Sequence, residues 1–185
     1  MWISQRTDNG DIFSAAVKCI SDYGEMPKSA EQIAFILATP EFTHNESDIM
    51  ETIKIFSSKT IKDCILRFKE NPDVAKWITY DLWSIQSHTG SKKAALKSVG
   101  CISKFEAAPQ AAGRIASCLC GIAQNTSDAK RVKRAAKKIL NAENPEKAAE
   151  IAEYLELVTD KGGWNYGAIS QPPTDELIFI PTIIR

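Results

Sequence analysis

Two stretches of this chain place cations at helical spacing. From Ser91 to Phe105, Lys93, Lys97 and Lys104 share one face of a helix, opposite Ala95, Val99 and Ile102. From Ser127 to Asn141, Lys130, Arg134 and Lys137 line one face, flanked by Arg131, Lys133 and Lys138, while Val132, Ala136 and Ile139 lie behind. Rows of Lys and Arg of this kind attract a phosphate backbone or an acidic protein surface. The same pattern also serves as an ordinary solvated helix face. Glu146, Glu150, Glu153 and Glu156 on the next helix are placed to neutralise part of the row, within the chain or across a subunit contact.

A second constellation is aromatic. Trp77, Tyr80 and Trp83 drift along one side of a helix whose other side carries Val74, Ile78, Leu82 and Ile85. A helix apolar on two faces belongs between neighbours, and that is the expectation here. The alternative is an aromatic groove for a peptide or for bases. The stretch Leu177, Ile178, Phe179 and Ile180 is a third candidate, in an apolar tail broken by glycines and prolines. It reads as an extended arm that caps its own helical stack or anchors in a neighbouring subunit or partner.

Catalytic chemistry has no constellation behind it. The chain holds two histidines, His44 and His88, both expected in loops, and no HExxH, Walker loop, nucleophile elbow or zinc-ligand spacing. His44 with Glu41, Glu46 and Asp48 lacks defined metal-ligand spacing and reads as a solvated segment before a helix N-terminus. Neither a catalytic residue, a metal site nor a cofactor is expected. Cys19, Cys64, Cys101, Cys118 and Cys120 are odd in number and embedded in apolar patterns, as reduced core thiols of an intracellular, cytoplasmic protein would be. Cys118 and Cys120 point to different faces of their helix, so they cannot chelate one metal as a pair. No membrane span or secretory leader is evident.

The elements that must carry these residues follow from a repeat. Pro27, Ala30, Ile33 and Leu37 have the same spacing as Pro72, Ala75, Ile78 and Leu82. Pro109, Ala112, Ile115 and Leu119 follow, then Pro145, Ala148, Ile151 and Leu155, at intervals of 45, 37 and 36 residues. Proline suits the first helical position, and the three apolar residues fall on one face. Asn71 and Asn144 stand ready as N-caps, and Ser29 with Gln32 has capping-box spacing, which Asn45 with Asp48 resembles. The two cationic stretches align at an offset of 37 and alternate with the proline-led helices, so each repeat is a helical hairpin.

These four sets, with stretches such as NPDVAKWITYDLW, resemble the broad class of HEAT-like and armadillo-like helical repeats. That resemblance covers most of residues 27–159 and implies an architecture and a binding-scaffold role. The expected fold is all-α: a short array or bundle of helical hairpins, α-solenoid-like, with an extended C-terminal arm. Residues 1–160 form a single helical domain, less regular over 1–70 and with hairpin repeats over 72–159, and residues 161–185 form the arm.

The chain has 185 residues with 23 basic and 23 acidic side chains, hence no net charge. The balance is −4 over residues 1–89, +9 over 90–140 and −5 over 141–185. Neutrality therefore does not exclude a polyanion. The expected function is non-enzymatic binding of nucleic acid or an acidic partner surface through the basic ridge, with self-assembly into a coat-like or nucleoprotein-like homo-oligomer as one form. The alternative is a protein–protein adaptor or inhibitor that docks through the aromatic face or the arm.

Overall fold

Each proline-led set becomes a helix, and the cationic stretches become the helices between them. The computed structural model describes residues 6–160, which form nine helices and no strand. They are α1 (Gly10–Ser21), α2 (Pro27–Ala38), α3 (Glu46–Phe56), α4 (Lys59–Leu66), α5 (Pro72–Thr89), α6 (Lys92–Lys104), α7 (Pro109–Thr126), α8 (Ala129–Leu140) and α9 (Pro145–Asp160). The expected arm, including Leu177 to Ile180, lies outside the described residues.

Like packs on like. The proline-led helices α2, α5, α7 and α9 stack in that order as one layer, and α4, α6 and α8 stack as a second layer behind it. Helices α1 and α3 pack on each other and on α2, and α3 also on α4, closing the N-terminal end. The repeated Ala, Ile and Leu positions form the spine between the layers. All twelve contribute to one hydrophobic core, ten fully buried and Ala30 and Ile151 partly so. This is the all-α hairpin array that the spacing implies.

The turns repeat as well. Gly90 closes α5 and Ser127 closes α7, 37 residues apart, and both are left-handed, at φ 61° and 49°. A left-handed residue ends a helix while satisfying a terminal carbonyl, and the Ser127 amide donates to Ala123 O at 2.8 Å. The following residues cap the outer helices. Ser91 Oγ accepts from the Ala94 amide at 3.3 Å, and Asp128 Oδ1 from the Lys130 amide at 2.7 Å.

Caps at the proline-led starts differ from the expectation. Asn144 accepts from the Lys147 amide at 2.8 Å, but the Asn71 side chain makes no capping bond. Ser29 lies inside α2, buried, with its hydroxyl unpartnered, so it forms no capping box with Gln32. Proline already removes one orphan N–H at these starts, which lowers the need for a side-chain acceptor. Asn45 does cap α3, taking the Asp48 amide at 3.1 Å. Asp48 reciprocates one residue earlier than a capping box would, accepting from the His44 amide at 3.0 Å.

Polar links join successive helices of the same layer. Lys28 of α2 pairs with Asp73 of α5 at 2.5 Å, and Arg114 of α7 donates from Nε to Glu153 of α9 at 2.8 Å. In the second layer Arg67, just past α4, pairs with Glu106, just past α6. Lys104, the repeat counterpart of Arg67, reaches from α6 to the end of α8. At Gly121 the missing Cβ leaves room for the Glu156 carboxylate to fold onto α7, since a Cβ there would collide with it.

Candidate functional site

Helices α6 and α8 are neighbours in the second layer, so their outward faces form one surface. Six of the twelve residues of α8 are cationic, and neither α6 nor α8 contains an acidic residue. Lys93, Lys97, Lys130, Arg134, Lys137 and Lys138 are exposed, and Arg131 and Lys133 are half-buried. Val132, Ala136 and Ile139 turn inward and are buried, as the helical phase predicts. The offset of 37 residues makes Lys93 the counterpart of Lys130 and Lys97 of Arg134, so side-by-side packing sets the two rows abreast.

Two members of the predicted row have structural tasks. Lys104 Nζ donates to Leu140 O at 2.7 Å and Ala142 O at 2.8 Å, placing its charge on the negative end of α8. Its phase on α6 matched the row, but the uncapped carbonyls of α8 are its partners. Arg131 lies 3.7 Å from Asp128, the residue that caps its own helix.

Three of the four acids expected to face the row go elsewhere. Glu153 takes Arg114 on the proline-led layer, Glu150 pairs with Lys147 of its own helix at 3.4 Å, and Glu156 turns toward Cys118 and Gly121 in the α7–α9 seam. The layer order explains this, because α9 stacks on α7.

The row is costly to the fold in isolation. Lys93 and Lys97, Lys130 and Arg134, and Arg134 and Lys138 are like charges at i, i+4, each pair destabilising by roughly 0.2–0.5 kcal/mol. Lys130, Arg131 and Lys133 also crowd the first turns of α8, the positive end of the helix dipole.

The aromatic constellation divides. Trp83 is buried, its indole N–H donating to Thr52 Oγ1 at 3.3 Å and its ring 5.0 Å from Phe42. Tyr80 is half-buried beside both rings. Trp77 is 59% exposed, with Lys76 Nζ 5.7 Å from its ring centre. Trp83 therefore belongs to the core, as the sandwiched helix implies, whereas Trp77 departs from that expectation and lies at the surface. Phe35, Tyr154 and Leu157 are also exposed. Counted from the leading proline, Phe35, Trp77, Tyr154 and Leu157 stand at offsets 8, 5, 9 and 12, the side of their helices away from the core positions 3, 6 and 10.

All five cysteines are free and buried. Burial pushes the thiols of Cys19 and Cys64 up to about 11 and those of Cys101 and Cys120 up to about 12. Such thiols carry almost no reactive thiolate near neutrality. Cys118 lies near Glu156 and Cys120 near Asp81, so the two do face different neighbours. His88 ends α5 rather than lying in a loop, with Nδ1 2.9 Å from Ser84 O. Among the described residues no three His, Cys, Asp or Glu side chains converge to hold a metal ion, and no helix is long and apolar enough to cross a membrane.

One buried acid escaped the sequence reading. Asp81 of α5 is 6% exposed, and burial raises its carboxyl to about 7, with Glu156 adding to the rise and a hydrogen bond from Cys120 opposing it. It occupies a polar seam in which the Cys120 thiol donates to Ser84 Oγ at 3.2 Å and Gln124 Nε2 donates to the same oxygen at 3.2 Å. No local pattern marks it, since its partners come from other helices.

Comparison of the chain with known protein families, with curated proteins and with solved structures returns no match.

Proposed function

We propose that this chain is a non-enzymatic binding protein whose α6–α8 ridge engages a polyanion, foremost the phosphate backbone of a nucleic acid. The observation that supports it most directly is the abreast arrangement of exposed cations on two packed helices that hold no acidic residue. A helix of twelve residues is about 18 Å long, the span of about five phosphates along one strand at roughly 3.4 Å each. The contacts are to charge, so binding is sequence-tolerant and salt-sensitive. An acidic protein surface satisfies the same ridge, and self-assembly through the oppositely charged segments is one form of that version.

Fluorescence anisotropy of labelled oligonucleotides against salt concentration tests this reading. Each phosphate contact contributes about −0.9 to the slope of log K against log salt. Replacing Lys93, Lys97, Lys130 and Lys137 by Gln should flatten that slope by about 3 to 4. A binding constant insensitive to salt, or an unchanged slope in the fourfold variant, would remove the phosphate reading. Light scattering with the A260/A280 ratio of purified protein separates nucleic-acid cargo from self-association.

A second reading rests on the exposed Phe35 and Trp77 of the proline-led layer. They suit an adaptor docking through that face, and Trp77→Ala would abolish partner capture while sparing oligonucleotide affinity.

A further inference from the structure

The proline-led helices stack in one register, and that register ends on an open seat. The ninth residue after the leading proline is Ile36 in α2, Asp81 in α5 and Cys118 in α7, and all three are buried. The next helix of the layer meets them: Asp81 takes a hydrogen bond from Cys120 of α7, and Cys118 lies near Glu156 of α9. The twelfth residue follows the same rule. Ser84 accepts from the Cys120 thiol at 3.2 Å, and Gly121 lies under the Glu156 carboxylate. In α9 these two positions hold Tyr154 and Leu157, 46% and 52% exposed. Among the described residues no helix follows α9, so an apolar pair occupies the side that would receive one.

The second layer ends on charge. Cys64 of α4, Cys101 of α6 and Lys138 of α8 are counterparts at intervals of 37 residues. Cys64 is buried against Ser103 of the next helix and Cys101 is buried too, whereas Lys138 is exposed. The end of the array is therefore apolar on α9 and cationic on α8. Terminal repeats of stacked arrays require a cap with a polar outer face.

We propose that the cap is this chain's own segment 175–180, seated on Tyr154 and Leu157. Its sequence supplies the complementary chemistry: Asp175 and Glu176 for the cations, then Leu177, Ile178, Phe179 and Ile180 for the apolar pair. Reach is sufficient. Leu157 lies about 5 Å along the helix axis from Asp160, and residues 161–176 can span up to roughly 50 Å. A second copy fits less well. Two exposed side chains fall far below the about 800 Å² per partner of a stable association. A tethered segment acts at an effective concentration near millimolar and requires less area. The seat is separate from the Phe35 and Trp77 face, and it does not rest on the polyanion reading.

The test replaces Phe179 in the full chain by photoreactive benzoylphenylalanine. After irradiation, products are sized by denaturing electrophoresis and mapped by mass spectrometry of tryptic peptides. The expected product has monomer mass and joins residue 179 to peptide 148–161, which carries Tyr154 and Leu157. Leu157→Asp should lower its yield about tenfold or more, the weight of one buried leucine. Tyr154→Ser should act in the same direction. Both residues are exposed on the helical domain, so the variants keep the helical circular dichroism of the native chain. A product of dimer mass would give the seat to a second copy and overturn the assignment. A cross-link mapped outside α9, a yield unchanged in both variants, or no cross-link would overturn it equally.

Discussion

Asp81 offers the most quantitative test of the packing. Its carboxyl ionises near 7 in the folded chain, against 3.8 for an ordinary aspartate, mainly because burial penalises the charged form. Between those values the folded state holds a proton that the unfolded state has released, so stability falls as pH rises through the interval and levels off above about 7. Each pH unit of separation is worth 1.36 kcal/mol, which makes the full loss about 4 kcal/mol, of which about 3 falls between pH 5 and pH 8. Asp81→Asn keeps the shape and removes the titration. Urea unfolding followed by far-UV circular dichroism, with reductant to protect the thiols, measures both proteins across that range. At pH 5 the Asn variant should already be more stable by about 2 kcal/mol, because the unfolded aspartate has released its proton and the folded one has not. At pH 8 the gap should have grown to about 4 kcal/mol. Exposed titrating groups are common to both and cancel in the difference. A gap that stays flat from pH 5 to pH 8, or a native protein that gains on the variant as pH rises, would refute the placement of Asp81 in a dry seam.

Other consequences are simpler to state. Lys104→Met removes the cation that caps α8, and thermal unfolding should register a loss of about 1 kcal/mol, reduced by the exposure of the side chain. Ser127→Gly places at the α7–α8 turn the residue its counterpart Gly90 already has. Relief of the left-handed conformation should stabilise the protein by about 1 kcal/mol in urea titrations.

Much of the fold was visible in the four Pro-Ala-Ile-Leu sets, because one helical face and one core are enough to generate that spacing. The set at Pro72 located α5, and the offset of 37 residues paired α6 with α8 before any contact was known. Local chemistry misled where a neighbouring helix decides the outcome. Ser29 looked like a cap and is buried inside α2, and Lys104 looked like a ridge residue and caps α8. Trp83 shares its side of α5 with Trp77 in sequence, but Phe42 and Thr52 cover it. The charge of the ridge was readable because it lies within two local stretches. The seam around Asp81 was not, since Cys120 and Gln124 of α7 and Glu156 of α9 reach it from helices that no single periodicity links.

The ridge and the fold pull against each other, and that tension can be measured. The like-charge pairs and the cations in the first turns of α8 oppose folding of the free chain, whereas the links between like helices favour it. Salt screens exposed charges of both kinds, with a Debye length near 10 Å at 0.1 M. The fourfold Gln variant at Lys93, Lys97, Lys130 and Lys137 leaves the interhelical ion pairs intact and removes most of the repulsion. Added salt should therefore raise the unfolding free energy of the native chain relative to this variant, by about 0.4–1 kcal/mol for the two named pairs that the variant removes. The same salt should weaken oligonucleotide binding by the native chain. A ridge kept for folding would show the opposite pairing, with the variant less stable than the native chain at low salt. A native chain that loses nothing at low salt relative to the variant would mean that the cations are already neutralised within the protein, and the polyanion reading would lose its physical basis.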